Sequence, residues 1–174
     1  IRSLKEEHVM MTSYYTKTFA TLMLLPPVAR ASIRGSAEYP RLRGNLNIYQ
    51  ADEGLLVTTE VWGLPTKQGE CENNIFGLHI HEQGRCTGSA GDPFADAGGH
   101  YNPGHCPHPA HAGDMPPLFA FNGYAWGAFY TRRFTVDEVE GLSVIVHSQR
   151  DDFTSQPAGD SGKRIACGII RMLR

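Results

Sequence analysis

Two histidines one residue apart, His79 and His81, lie inside the apolar run IFGLHIHE at positions 75–82. In a strand, successive side chains point to opposite faces, so Phe76, Leu78 and Ile80 face a core while His79 and His81 project together from the other side. Two imidazoles on one rigid strand can grip one metal ion. Any fold for this chain has to present that pair from a single strand face.

Seven of the eight histidines fall between positions 79 and 147. The stretch GGHYNPGHCPHPAHAGDMPP (98–117) crowds His100, His105, His108, His111 and Asp114 into a segment too rich in glycine and proline for regular structure. A loop that dense in ligands suggests a second ion. The run LSVIVHS (142–148) ends in His147, which shares a face with Ser143 and Ile145 while Leu142, Val144 and Val146 point into a core. Three strand-borne imidazoles and one loop histidine make an all-nitrogen site of the kind that suits copper, whereas three histidines and a carboxylate suit tetrahedral zinc. The counts permit one of each, sharing a histidine.

From about residue 31 onward, short alternating runs broken by turn residues predict an antiparallel all-β domain. Segments 44–50 and 55–65 read as a hairpin across the ADEG turn, and further strands are expected at 75–82, 124–131, 142–148 and 164–172. A long loop from about Gly84 to Pro117 and a second from 149 to 163 separate them, and long loops in compact domains are commonly functional. VDEVEG (136–141) reads as a turn or one helical turn, and the aromatic run Tyr124, Trp126, Phe129 and Tyr130 as barrel packing and surface. The length of 174 residues suits one domain at 31–174 with residues 1–30 as an N-terminal extension. Within that extension, 17–30 faintly resembles a secretion signal but is interrupted by Pro26 and Pro27; the alternative is a short helix capping the domain, and a cytoplasmic location is preferred to export.

A net charge of -2 offers no basic footprint for nucleic acid, and no run approaches the roughly 18–20 apolar residues that span a bilayer, so neither partner is expected. The four cysteines, Cys71, Cys86, Cys106 and Cys167, form no CxxC pair. His8 lies outside every motif and reads as a surface residue. A zinc hydrolase would need a base such as the Glu of HExxH, which is absent.

The motifs GLHIHEQGRC (77–86), GGHYNP (98–103), HAGD (111–114), VIVHS (144–148) and GKRIACGII (162–170) resemble the copper/zinc superoxide dismutase family in content and order. The resemblance covers about residues 32–172 and implies an eight-stranded antiparallel Greek-key β-barrel, an immunoglobulin-like sandwich, with two long functional loops. It implies copper ligands at His79, His81, His100 and His147, with His100 bridging to zinc, and zinc ligands at His111 and Asp114. His108 and His105 compete for the remaining zinc position, and proline-flanked HPAH favours His108, placing it near His111. Arg164 matches the family's anion-selecting arginine, and Asp151 its carboxylate linking a copper ligand to a zinc ligand. Cys86 and Cys167 occupy the disulfide positions, while Cys71 and Cys106 are extra and stay open between a second bridge and free thiols.

The implied activity converts superoxide to dioxygen and hydrogen peroxide by alternate reduction and reoxidation of copper, with zinc tuning His100, and it admits a homodimer. The competing expectation is a catalytically silent metal-binding module of the same fold. Between His147 and Arg164, Arg150 and Lys163 face Asp151, Asp152 and Asp160, which predicts only modest electrostatic steering and a low salt sensitivity.

Overall fold

The computed structural model describes residues 21, 22, 24–66 and 74–173; His8, Cys71 and residues 17–20 of the signal-like segment lie outside these. The described chain is almost all β: β1 (Ala29–Gly35), β2 (Arg43–Gln50), β3 (Leu55–Trp62), β4 (Ile75–Phe76), β5 (Leu78–His81), β6 (Leu118–Phe119), β7 (Tyr124–Thr131), β8 (Ser143–His147) and β9 (Arg164–Met172). Seven strands form one curled antiparallel sheet in the order β5-β8-β9-β1-β2-β3-β7, and β4 pairs with β6. β4 and β5 are one strand interrupted at Gly77, which instead donates to Gln149 O at 2.7 Å and accepts from His147 N at 2.9 Å. Counted together, they bring the elements to the eight strands of the expected Greek-key barrel. β3 lies beside β7 and β9 beside β1, so the chain crosses over between β3 and β4 and again between β7 and β8.

Strand expectations and structure coincide at 124–131 and 164–172, and the β2–β3 hairpin pairs Gln50 with Leu55 across the turn. β3 stops at Trp62 rather than residue 65, because Gly63 turns the chain at φ +76. β1 and the two-residue β6 were not among the expected strands. β1 reads ARASIRG, and its buried face is Ala29, Ala31 and Ile33, so small side chains blunt the hydrophobic period that would have marked it. VDEVEG contains one helical turn, α1 (Val136–Val139), closed by a capping box in which Thr135 Oγ1 accepts from Glu138 N and the Glu138 carboxylate accepts from Thr135 N.

The barrel interior is filled by Ile33, Leu46, Ile48, Val57, Leu78, Ile80, Val144 and Ile170, among others. Each large aliphatic side chain taken out of water there contributes about 1.5–3 kcal/mol. A second, smaller apolar cluster lies outside the wall, where Phe94, Ala97, Ile145 and Cys167 gather under the long loop. The Cys86–Cys167 disulfide sits at this point and ties the loop to β9 across a sequence separation of 81 residues, a closure worth about 4.5 kcal/mol in the chain-entropy model. Among the described residues no helix is long and apolar enough to cross a membrane.

Burial differs between the middle of the sheet and the end that carries the histidines. β1 and β2 alternate buried and exposed residues, as a strand with one face in the core should. In β5 and β8 every residue is buried, because the core covers one face and the two long loops cover the other. The histidines lie on that loop-covered face.

Candidate metal centre

β8 pairs with one edge of β5, placing His79 opposite Ile145 and His81 opposite Ser143. The long loop takes the other edge: Ile80 N donates to Gly113 O at 2.9 Å and Ile80 O accepts from Tyr101 N at 2.8 Å, while Glu82 N donates to Gly99 O at 3.0 Å. These bonds bring His100 and Asp114 alongside the strand histidines. Gly113 must be glycine here, since a Cβ would collide with the Ile80 carbonyl. A register shift between Val146 and His147 offsets the β8–β9 pairing, leaving His147 opposite Arg164, and His147 closes the strand-borne set.

The donor atoms form two groups. One ligand atom each from His79, His81, His100 and His147 lie within 4.8 Å of one another, and so do one each from His100, His108, His111 and Asp114. His100 belongs to both. Its Nδ1 faces the second group, 2.7 Å from Asp114 Oδ1 and 3.3 Å from His111 Nδ1, while its Nε2 is buried with no protein partner. All six imidazoles are at least nine-tenths buried.

Outward-facing ring nitrogens are anchored. Asp151 accepts from His79 Nε2 at 2.7 Å and from His108 Nε2 at 2.9 Å, so a single carboxylate orients one histidine of each group. His81 Nδ1 donates to Gly98 O at 2.9 Å, and His147 Nδ1 lies 3.5 Å from Gly162 O. With protons on those atoms, the inward nitrogens carry lone pairs. His79 Nδ1 and His100 Nε2 have no hydrogen-bond partner, His108 Nδ1 lies 3.1 Å from Asp114 Oδ2, and His81 Nε2 and His147 Nε2 face each other at 3.3 Å.

Burial keeps four of these rings from taking up protons instead. It pushes His79 down to about 4 and holds His81, His147 and His111 below the usual histidine range. For Asp151, burial acts upward but is outweighed by hydrogen bonds from His79, the Phe153 amide and His108, leaving it at about 2. Asp114 is likewise lowered against its burial by the hydrogen bond with His100. Converging lone pairs without protons require cations. The all-nitrogen set of four fits copper, and the three nitrogens with one carboxylate fit zinc.

Of the two competing loop histidines, His108 lies in the second group, whereas His105 is exposed at a turn residue with φ +50. Cys106 is an exposed free thiol, and the alternative left open, a bridge to Cys71, involves a residue outside those described. Arg164 opens β9 and its guanidinium donates to the carbonyls of Phe94 (2.8 Å), Ala95 (3.1 Å) and Gly98 (2.9 Å). A cavity of about 360 Å³ lies beside it, lined by His81, His100, His147, Lys163, Arg164 and Asp92.

Two residues that hold the loop escaped the sequence reading. The Gln156 amide pairs with both backbone groups of His108, accepting from its N–H at 3.0 Å and donating to its carbonyl at 2.7 Å. Arg133, just after β7, donates to the carbonyls of Pro109 (3.2 Å), His111 (3.2 Å) and Asp114 (3.4 Å). The adjacent Gly159 must also be glycine, because a Cβ would lie 2.6 Å from His108 Nε2 and collide with the Asp151 carboxylate. No motif announces such contacts; a glutamine or arginine in a loop is ordinary until its partner is known.

Residues 42–170 match the family model described as copper/zinc superoxide dismutase. The chain is 32% identical over 143 residues to Cu-Zn superoxide dismutase 2 of Aquifex aeolicus, covering 74% of this chain and 78% of the relative. It is 31% identical to the Cu-Zn superoxide dismutase of Photobacterium leiognathi and 34% identical to that of Escherichia coli, in each case over 74% of this chain and 78% of the relative. Matched on this scale, and with paired donor groups where the motifs placed them, the chain belongs to the copper/zinc superoxide dismutase family.

Proposed function

We propose that the protein is a superoxide dismutase in which His79, His81, His100 and His147 hold copper, and His100, His108, His111 and Asp114 hold zinc. The observation that carries this reading is the single His100 ring reaching both donor groups, Nδ1 toward one and Nε2 toward the other. The overall conversion takes two superoxide ions and two protons to dioxygen and hydrogen peroxide. Held by His79, His81, His100 and His147, copper would supply the one-electron redox chemistry, and zinc, which has none, would tune the shared ring.

The chain's own residues do the rest. Arg164 presents a fixed guanidinium to a small anion in the cavity. When not engaged by a metal, His100 Nε2 is the atom that would carry a proton beside the cavity to the departing peroxide, while Nδ1 stays directed at the zinc group. Asp151 keeps the His79 and His108 rings in the tautomer that leaves Nδ1 free.

The same proposal assigns the activity to residues 31–174, with 1–30 as an extension. It also includes a homodimer, for which exposed Phe119, Phe121 and Trp126 supply apolar surface, and sedimentation is the check.

The decisive experiment pairs metal analysis with turnover on the intact chain and on His100→Ala. The expected result is one copper and one zinc per chain with superoxide-dependent peroxide formation, and a fall of at least about 1,000-fold in the variant. Zinc alone with no turnover would instead mark a silent metal-binding module.

A further inference from the structure

Beside the guide guanidinium stands a carboxylate that the dismutase chemistry does not require. Asp92 Oδ2 lies 3.7 Å from Arg164 Nη1, and both residues line the cavity. The acid is not a loose surface charge. Its Oδ1 accepts from Phe94 N at 3.2 Å, its backbone N donates to Ser89 Oγ at 3.2 Å, and its carbonyl accepts from Ser89 N at 2.9 Å. Phe94 O in turn holds Arg164 Nη1, so acid and guanidinium are built on the same turn. Each side chain keeps contact with water, at 42% and 21% exposure, so the pair itself adds little stability but both charges act on an approaching ion.

We propose that Asp92 is a specificity-determining residue that sorts anions by charge at the cavity, admitting monoanions and rejecting dianions such as hydrogenphosphate. The inference rests on the dismutase reading for the identity of the monoanion. An unopposed arginine with Lys163 nearby would favour phosphate, whose geometry matches a guanidinium fork. A fixed negative charge roughly 6 Å from the bound anion opposes a monoanion by a factor of about three in water-like dielectric, and a dianion by the square of that, about tenfold.

The test uses the fully metallated chain and Asp92→Asn, which keeps the Oδ1 acceptor for the Phe94 amide and removes the charge. Azide binding is followed by the absorption change at copper, and hydrogenphosphate by its competition with azide near pH ~8 and low ionic strength. The variant should bind azide about threefold and hydrogenphosphate about tenfold more tightly, and its kcat/KM for superoxide should rise about threefold at low salt and return to the parent value at high salt. Lys163→Gln should shift both anions the opposite way, again with the larger effect on phosphate. Equal changes for the two anions, or none, would overturn the proposal. Weaker binding of both would overturn it too, by showing Asp92 to be a brace for the turn. Anion discrimination that persists without dismutase turnover would support the charge filter and count against the dismutase reading alone.

Discussion

The two halves of the metal centre are built differently. On the copper side, His79, His81 and His147 are carried by β5 and β8, so their positions follow from strand pairing and from the alternation of side chains across a sheet. On the zinc side, His108, His111 and Asp114 ride on a segment with no regular structure, and their positions depend on bonds from elsewhere: Asp151 and Gln156 to His108, and Arg133 to the carbonyls around His111 and Asp114. A strand orders its ligands through its own ladder. A loop has to be ordered by its neighbours or by the ion itself, because the conformational entropy of its backbone is otherwise unopposed.

That contrast can be strained most strongly with acid in the metal-free protein. His79 sits at about 4 when folded against 6.5 when unfolded, so between those values the unfolded chain binds more protons than the native one. Its contribution to stability is therefore complete above pH 6.5 and is lost as pH falls toward 4, a change of about 3 kcal/mol, with the buried rings of His81 and His147 acting in the same direction. Denaturant melts of the metal-free chain across this window, with histidine NMR titrations, provide the measurement. Stability independent of pH there would mean that the strand half is not held in the neutral form.

A smaller effect is expected where the halves meet. Asp151→Asn removes the charge that fixes His79 and His108 together and should weaken zinc binding by about 10–100-fold in competition with a chelator. It should change zinc more than copper, since His79 is also held by its strand. An equal loss of both metals would erase the distinction between the halves.

Gln156→Ala should produce the least change: two hydrogen bonds to the His108 backbone at roughly 1 kcal/mol each, part of which water replaces, weaken zinc by about tenfold and leave copper affinity unaltered. Cobalt placed in the zinc group would report the altered geometry through its visible spectrum. An unchanged cobalt spectrum and zinc affinity would show that the loop holds His108 without help from the second loop.

The copper half was the more legible for the same reason that it is the more rigid. The apolar partners of His79 and His81 are their own neighbours, Leu78 and Ile80, so the strand and its functional face are written in eight consecutive letters. His147 is marked the same way by Val144 and Val146. From residue pattern alone the zinc half was legible only as a crowded loop, and it was the family resemblance that implied His111 and Asp114. Choosing His108 over His105 depended on family resemblance and the adjoining prolines, and what separates them physically is that His108 is buried against Asp151 and Gln156 while His105 faces solvent. Arg133 and Gln156 lie 22 and 48 residues from the backbone groups they hold at His111 and His108, and Asp92 lies 72 positions before Arg164. No local pattern spans such distances.

By itself, then, the order of residues determined the all-β class, the strands with a strong hydrophobic period and the copper-facing histidines, and its resemblance to the family implied the cysteines that close the long loop. These follow from local alternation and from motifs whose parts are close in sequence or familiar in order. The family resemblance implied the shared His100 and the linking Asp151; only the tertiary structure gave them their distances and burial, and it alone decided that Gln156 and Arg133 brace the loop and that an acid sits beside Arg164. Those relations arise where loops fold back over a sheet, and their energies depend on distance and burial in space rather than on separation along the chain.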